Sequence, residues 1–336
     1  MSNLKKILKN KNSCKSVWFM RQAGRYLPEF KNIRSKNPDF IKLCLNSDLS
    51  SEITLQPIKR FNLDSAIIFS DILMIPYALG QKITFLKNDG PKLSKFKPNL
   101  FFSNYEKDFT KKLSPVYDAI RITRKKLETE KSLIAFVGAP WTLFIYMYGI
   151  RKSKNQVELD KLKIDDKKIE MIFQELIKFI CLHIKNQINA GADVVQIFDT
   201  WAGLIPTNKI KDYCFKPNAK IVEFCRKEGI PNICFPKGIR EKYEDFNKLV
   251  KPDGISIDYD IDPIWARDKL KNVVVQGGLS PYFLLKNEEE MFEAATKYIQ
   301  IFKDIPYVFN LGHGLLPETD PDKVDKLIKF YRSLNG

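Results

Sequence analysis

The chain has 336 residues, of which 44 % are hydrophobic and 29 % charged, a composition that excludes a disordered protein. Lys and Arg number 56 against 40 Asp and Glu, for a net charge of +16; this suits an anionic partner, although lysines spread over the whole chain fit a solvated surface equally well. No run of 18 apolar residues exists to cross a membrane, and six cysteines without a Cys-x-x-Cys pair predict reduced thiols in a cytoplasmic protein.

The first 16 residues are basic but carry no Arg and no apolar core, so neither a signal peptide nor a transit peptide is expected. A first short apolar run comes next, at 17–20. It leads into Arg21-Gln22-Ala23-Gly24-Arg25, where a spacing of four lets two guanidinium forks converge on one anionic target. Further apolar runs lie at 65–69, 133–137, 193–198, 232–235, 255–258, 273–276 and 307–311. Amphipathic stretches separate them, the clearest at 169–190, where Ile169, Ile172, Phe173, Leu176, Ile177, Ile180 and Ile184 recur every three to four residues. Eight repeats of strand and helix predict a single-domain (β/α)8 barrel over residues 1–336, with a doubly wound open sheet as runner-up. Residues 82–104 fit neither element and predict a loop or hairpin insertion.

The residues just past the end of each run bear on function. Ser70-Asp71 succeeds the second, Gly138-Ala139-Pro140-Trp141 the third, Asp199-Thr200-Trp201 the fourth, Pro236-Lys237-Gly238 the fifth and Gly312-His313-Gly314 the last. In a barrel these strand ends share one face, where active sites are built; glycine and proline also end strands for steric reasons alone. Asp71 after "AIIFS" would sit partly desolvated, which is costly unless it is paired, caps a strand end or is functional.

Several chemistries drop out. Only two histidines exist, and His183 belongs to the amphipathic stretch, where a core role fits better than metal ligation. Asp258, Asp260 and Asp262 alternate as in a calcium loop, but Pro263 and Lys269 stand where the turn glycine and the bidentate glutamate belong. No phosphate-binding loop, dinucleotide fingerprint, Gly-x-Ser-x-Gly elbow or known nucleic-acid module is present. Arg21, Arg25, Asp71, Tyr146, Thr200 and His313 remain.

Five blocks then carry a resemblance: "WFMRQAGRYLPEF" (18–30), "AIIFSDIL" (66–73), "GAPWTLFIYM" (138–147), "ADVVQIFDTWAG" (192–203) and "NLGHGLLPETDP" (310–321). In order and spacing they resemble the uroporphyrinogen decarboxylases, from about Val17 to Val324. The resemblance implies a distorted (β/α)8 barrel, a homodimer, and removal of CO2 from the four acetates of uroporphyrinogen III without metal or cofactor. It places Arg21, Gln22, Ala23, Gly24 and Arg25 on the substrate-binding stretch and Arg34 on a further arginine. It puts Asp71 on the catalytic aspartate, Tyr146 on the active-site tyrosine, and His313 on the histidine of the last block. Thr200 falls where many members have serine. The family permits Arg21 as proton donor, a poor acid unless a neighbour shifts it. Two departures are Met147-Tyr148-Gly149, without the usual glutamate before the glycine, and "QGGLSP" (276–281) for Gln-Gly-Asn-Leu-Asp-Pro. The competing expectations are a zinc-dependent corrinoid or thiol methyltransferase on the same barrel, and a basic nucleic-acid-binding protein.

Overall fold

A computed structural model describes residues 1–11, 15–86, 90–150, 152–153, 156–157 and 164–335. Eight parallel strands form one sheet: β1 (Lys15–Val17), β2 (Ser65–Ile67), β3 (Ser132–Gly138), β4 (Val194–Asp199), β5 (Asn232–Pro236), β6 (Gly254–Ile257), β7 (Val274–Gly277) and β8 (Tyr307–Phe309). Their order is β1-β8-β7-β6-β5-β4-β3-β2, so every strand lies beside its neighbour in sequence. That order is a barrel, and the open-sheet alternative falls with it.

Each predicted apolar run overlaps a strand, with ends displaced by at most three residues. The first is the most displaced. β1 stops at Val17 because the chain beyond it bonds to side chains and to neighbouring carbonyls. The Trp18 N–H reaches Phe309 O at 3.3 Å and the Met20 N–H reaches Asn310 Oδ1 at 3.1 Å. Similarly, the ladder of β2 ends where the Phe69 N–H turns to Thr54 Oγ1 at 2.8 Å.

The ring closes at a seam made by one residue. The Asp64 N–H donates to Val17 O at 3.0 Å, and Asp64 Oδ2 accepts the Val17 N–H at 2.7 Å. The other carboxylate oxygen pairs with Arg332 at 2.6 Å, on the last helix, Pro321–Asn335. A buried carboxylate is tolerated when its lone pairs are filled in this way.

The helix Asn3–Asn10 plugs the opposite, N-terminal end of the barrel. Leu4, Ile7 and Leu8 are fully buried among Ile134, Val194, Ile233 and Val274. Gly254 opens β6 because a Cβ there would come within 2.9 Å of Leu8. Farther in, Trp18 Nε1 donates to Gln276 Oε1 at 2.9 Å, and Gln276 Nε2 donates to Ser256 Oγ at 2.6 Å and Gln196 Oε1 at 3.1 Å. Side chains therefore fill the lower barrel and leave a site only at the upper end.

The predicted amphipathic helix is Asp166–Asn189, N-capped by Asp165, whose side chain accepts the Lys168 N–H at 2.7 Å. His183 is buried on its inner face, 3.0 Å from the Tyr117 hydroxyl, and burial lowers it to about 3, as suits a neutral core histidine. Residues 83–86 and 90–93 form the predicted hairpin insertion, with the short helix Pro98–Phe102 after it. Cys44, Cys181, Cys214, Cys225 and Cys234 are free thiols; Cys14 lies outside the described residues. Two of the alternating aspartates have structural partners: Asp258 accepts from Gly238 N–H and the Tyr243 hydroxyl, and Asp262 caps the helix Pro263–Lys269.

Candidate active site

The loops after β1 and β8 are laced together at the upper rim, where the Leu315 N–H donates to Met20 O at 2.9 Å. Arg21 then takes a left-handed backbone, φ +61°, a conformation disfavoured for a side chain with a Cβ and common at functional turns. Its stem lies against Gly314, where a Cβ would stand 2.3 Å from Arg21 Cδ. The glycine of the last block is thus the floor under the arginine of the first.

Around Arg21 the structure gathers Arg25, Asp71, Tyr146 and His313 closely enough to feel its charge. Burial, then the like charge of Arg25, lowers the Arg21 guanidinium, while Tyr146 and Asp71 pull it back up. Asp71 ends the short segment after β2, and its Oδ1 accepts the Leu73 N–H at 2.8 Å. Desolvation raises its carboxyl to about 6 against the pull of that N–H and of Arg21. Tyr146, on the helix Pro140–Met147, has its phenol raised by burial and stands edge-on to Trp201 with ring centroids 5.9 Å apart. His313 Nδ1 accepts the Gly314 N–H at 2.7 Å, which leaves the ring proton on Nε2. Desolvation, Arg21 and Lys237 lower His313 to about 4, so it is a neutral donor at physiological pH.

By accessible surface Arg21 is exposed, and Asp71, Tyr146 and His313 are intermediate. Protein nonetheless surrounds each on most sides, which is what shifts their pKa values. Both descriptions hold for side chains on the wall of a cleft, where the accessible part of each is open to a ligand.

The remaining expected residues divide. Thr200 is exposed at the end of β4 and lines an adjoining cleft of about 700 Å³. Ala23 is half-buried, and Gly24 sits where a Cβ would meet Arg21 O at 2.7 Å. Gln22 is fully buried: its Oε1 accepts the Phe19 N–H at 3.0 Å, its Nε2 donates to Ser65 O at 2.9 Å, and its carbonyl accepts from the Tyr26 hydroxyl. Its side chain braces the Arg21 turn against β2 and leaves no group for a ligand. Arg34 donates to Asn37 O at 2.5 Å with its guanidinium 5.8 Å from the Phe40 ring centroid, and both it and Asp71 act electrostatically on the buried Cys44 thiol.

Three features were given no role by the sequence, although two of the residues lie just past apolar runs. Met20, Ile67, Phe136, Phe198 and Phe235 form an apolar lining inside the barrel, with Phe136–Phe198 at 5.8 Å and Phe198–Phe235 at 6.5 Å. A period-two count from each strand end could have found it. Asp199 is buried and raised to about 6, accepting from Thr142 Oγ1 at 2.7 Å and Asn218 Nδ2 at 3.1 Å. Thr142 in turn accepts the Trp201 N–H at 3.2 Å, fixing the ring against which Tyr146 stands. The third feature is Lys237, directly after β5.

Cations, a desolvated carboxylate and a neutral histidine above an apolar lining, all at strand ends, define a (β/α)8-barrel enzyme site for a polyanion with an apolar body. The family model for uroporphyrinogen decarboxylase (URO-D) matches residues 3–334. Uroporphyrinogen decarboxylases of Orientia tsutsugamushi and Rickettsia felis are 43 % and 40 % identical, the first over 95 % of this chain and 94 % of its own, the second over 97 % and 95 %. That of Cereibacter sphaeroides is 37 % identical over 94 % of each. The chain belongs to the uroporphyrinogen decarboxylase family. Among solved structures, a methyltransferase from Methanosarcina mazei superposes with a TM-score of 0.77 over 99 % of this chain and 98 % of its own. At 15 % identity it shares the fold alone.

Proposed function

We infer that this chain is a uroporphyrinogen decarboxylase, removing CO2 from the four acetate side chains of uroporphyrinogen III to give coproporphyrinogen III. The observation that carries the reading is Asp71: a solvent-reachable carboxylate raised to about 6, among two arginines, a tyrosine and a neutral histidine, in a chain of this family.

In each cycle one proton enters and one CO2 leaves. Protonation of a pyrrole carbon makes the ring a cationic, iminium-like electron sink. The electrons of the bond between the acetate methylene and its carboxylate then flow into that sink, and CO2 departs. A proton delivered to the methylene gives the methyl group, and the ring proton is released. Asp71, ionised above about pH 6, accepts the pyrrole N–H groups and stabilises the cation as it forms. Arg21 and Arg25 bind carboxylates of the substrate, with Thr200 and the Nε2–H of His313 as further hydrogen-bonding groups. Tyr146 supplies a neutral hydroxyl beside Asp71. The lowered Arg21 is moved toward acidity and is our candidate proton donor. Gln22, Ala23 and Gly24 hold the turn that aims the two arginines, and Arg34 is a further guanidinium for a substrate carboxylate.

Among the described residues no helix is long and apolar enough to cross a membrane; we propose a cytoplasmic homodimer, to be checked by fractionation and sedimentation. The methyltransferase alternative needs a thiolate-activating ligand set, and among the described residues no three His, Cys, Asp or Glu side chains are grouped as a metal would require. Nothing in the site favours nucleic acid over a compact polyanion. The test is anaerobic incubation with uroporphyrinogen and chromatography of the oxidised products. A ladder from eight to four carboxylates is expected, and folded protein giving none would refute the assignment.

A further inference from the structure

We propose that Trp201 is a positioning residue that acts through Tyr146: its indole N–H fills the acceptor side of the phenol and so commits the Tyr146 hydroxyl to donate outward, to a carboxylate of the tetrapyrrole. The inference rests on the decarboxylase reading and extends it from which groups bind the substrate to what turns one of them toward it.

The anchor comes first. Asp199, the last residue of β4, is buried, and its carboxylate accepts the Thr142 hydroxyl at 2.7 Å and Asn218 Nδ2 at 3.1 Å. A hydroxyl has one proton to give. That of Thr142 goes to Asp199, so its oxygen is left as an acceptor and takes the Trp201 N–H at 3.2 Å. The Trp201 carbonyl accepts Trp141 Nε1 at 2.9 Å and the Leu204 N–H at 3.0 Å. Trp141 is itself fully buried and stacked on Tyr213, with ring centroids 5.4 Å apart. Trp141 and Thr142 belong to the helix Pro140–Met147, as Tyr146 does. The loop after β4 is therefore fastened at both an N–H and a C=O to the helix that carries the phenol. The Trp201 and Tyr146 rings are thus held edge to face, with centroids 5.9 Å apart.

The indole nitrogen comes second. Trp201 Nε1 is buried from solvent and makes no hydrogen bond of ordinary geometry, a rarity that calls for an explanation. Burial raises the Tyr146 phenol, and the indole N–H beside it, acting as a donor, draws it back down. An indole nitrogen donates and cannot accept, so this pair has only one direction. Among the described residues the Tyr146 hydroxyl has no other hydrogen-bond partner. Its proton is left for the cleft that Trp201 also lines. Hydrogen bonds of reactive sites are often long in the free protein and tighten around the substrate, and a hydroxyl that accepts one bond donates a stronger one. Two charges reach the phenol as well. Asp71 favours its protonated form, and Arg21 draws a substrate carboxylate to the same wall.

The experiment is a double-mutant cycle in the full chain: wild type, Trp201→Phe, Tyr146→Phe and the two combined, with steady-state kinetics on uroporphyrinogen and a thermal melt of each protein. Phe keeps an aromatic edge and deletes the N–H. Trp201→Phe is expected to melt within about 5 °C of wild type and to raise KM about tenfold with kcat within about threefold. Added to Tyr146→Phe it should change kcat/KM by less than about twofold, because the hydroxyl it directs is already gone. Thr142→Ser, which keeps the anchoring hydroxyl, should stay within about threefold of wild type in KM, and Thr142→Val should reproduce the rise seen with Trp201→Phe. KM within about twofold of wild type for Trp201→Phe overturns the proposal. So does an equal Trp201→Phe penalty in the wild-type and Tyr146→Phe backgrounds, which is what a purely structural role produces. Should Trp201→Phe fail to fold, the Thr142 pair decides in its place, and equal KM for Ser and Val overturns the proposal. Absence of turnover in wild type would instead refute the decarboxylase reading itself, and this inference with it.

Discussion

Replacing Asp71 with Asn separates catalysis from stability, because the same burial that readies the carboxylate makes it expensive to ionise. Asn keeps the shape and an oxygen for the Leu73 N–H, 2.8 Å away in the wild type. The folded carboxyl titrates at about 6 against 3.8 for the free group. The folded state therefore binds the proton more tightly, and stability falls as pH rises from about 4 to about 6. At roughly 1.4 kcal/mol per pH unit, ionised Asp71 costs the fold about 3 kcal/mol at pH 8, an upper value because solvent reaches the cleft, and about half of that at pH 5. Asp71→Asn should thus be more stable than wild type at pH 8, by about 1–3 kcal/mol in urea titration, with the gap about halved at pH 5. The same variant should lose about 10²–10⁴ in kcat, the size expected when preorganised charge stabilisation is removed, and wild-type kcat/KM should decline as pH falls through about 6. A variant that is less stable at both pH values, or equally offset at both, would refute the reasoning on burial; near-wild-type turnover would remove Asp71 from the chemistry.

Gly314→Ala puts a methyl group 2.3 Å from Arg21 Cδ, so the arginine must move; KM should rise about tenfold or more while the melting temperature changes little, and unchanged kinetics would mean that Arg21 does not bind substrate in this position. Asp64→Ala strips the seam of its carboxylate and leaves the Val17 N–H and Arg332 without that partner; chemical denaturation should show a loss of about 3 kcal/mol, with kcat nearly unchanged in the remaining folded protein.

The fold was legible because most barrel strands are buried on both faces and so read as short, largely apolar runs that end in a polar or glycine turn. Asp71, Thr200 and His313 were legible as residues just past those runs, whereas Tyr146 lies eight residues beyond its strand, on the helix Pro140–Met147, and the roles of all four came only with the family resemblance. Two parts were hidden for physical reasons. The barrel plug contributes just Leu4, Ile7 and Leu8 from eight residues, three of them lysines, so composition describes its solvent face and conceals its buried one. Gln22 reads as part of a ligand-binding motif, yet its amide is spent on Phe19 and Ser65. A motif does not distinguish groups that touch the ligand from those that hold such groups in place.

The seam has a consequence for how the chain is made. Asp64 and its partner Arg332 are separated by 268 positions, so a ribosome emits every strand from β2 to β8 before the carboxylate at the barrel joint meets its guanidinium. Until then β1 and β2 would have to pair around an uncompensated charge, and ring closure is expected to wait for it, with the nascent sheet open at one edge. Such distant pairing is slow, and an unpaired strand edge invites association with other chains. Truncation within the last helix should therefore trap a soluble-to-aggregated transition during synthesis, well away from any residue that handles substrate.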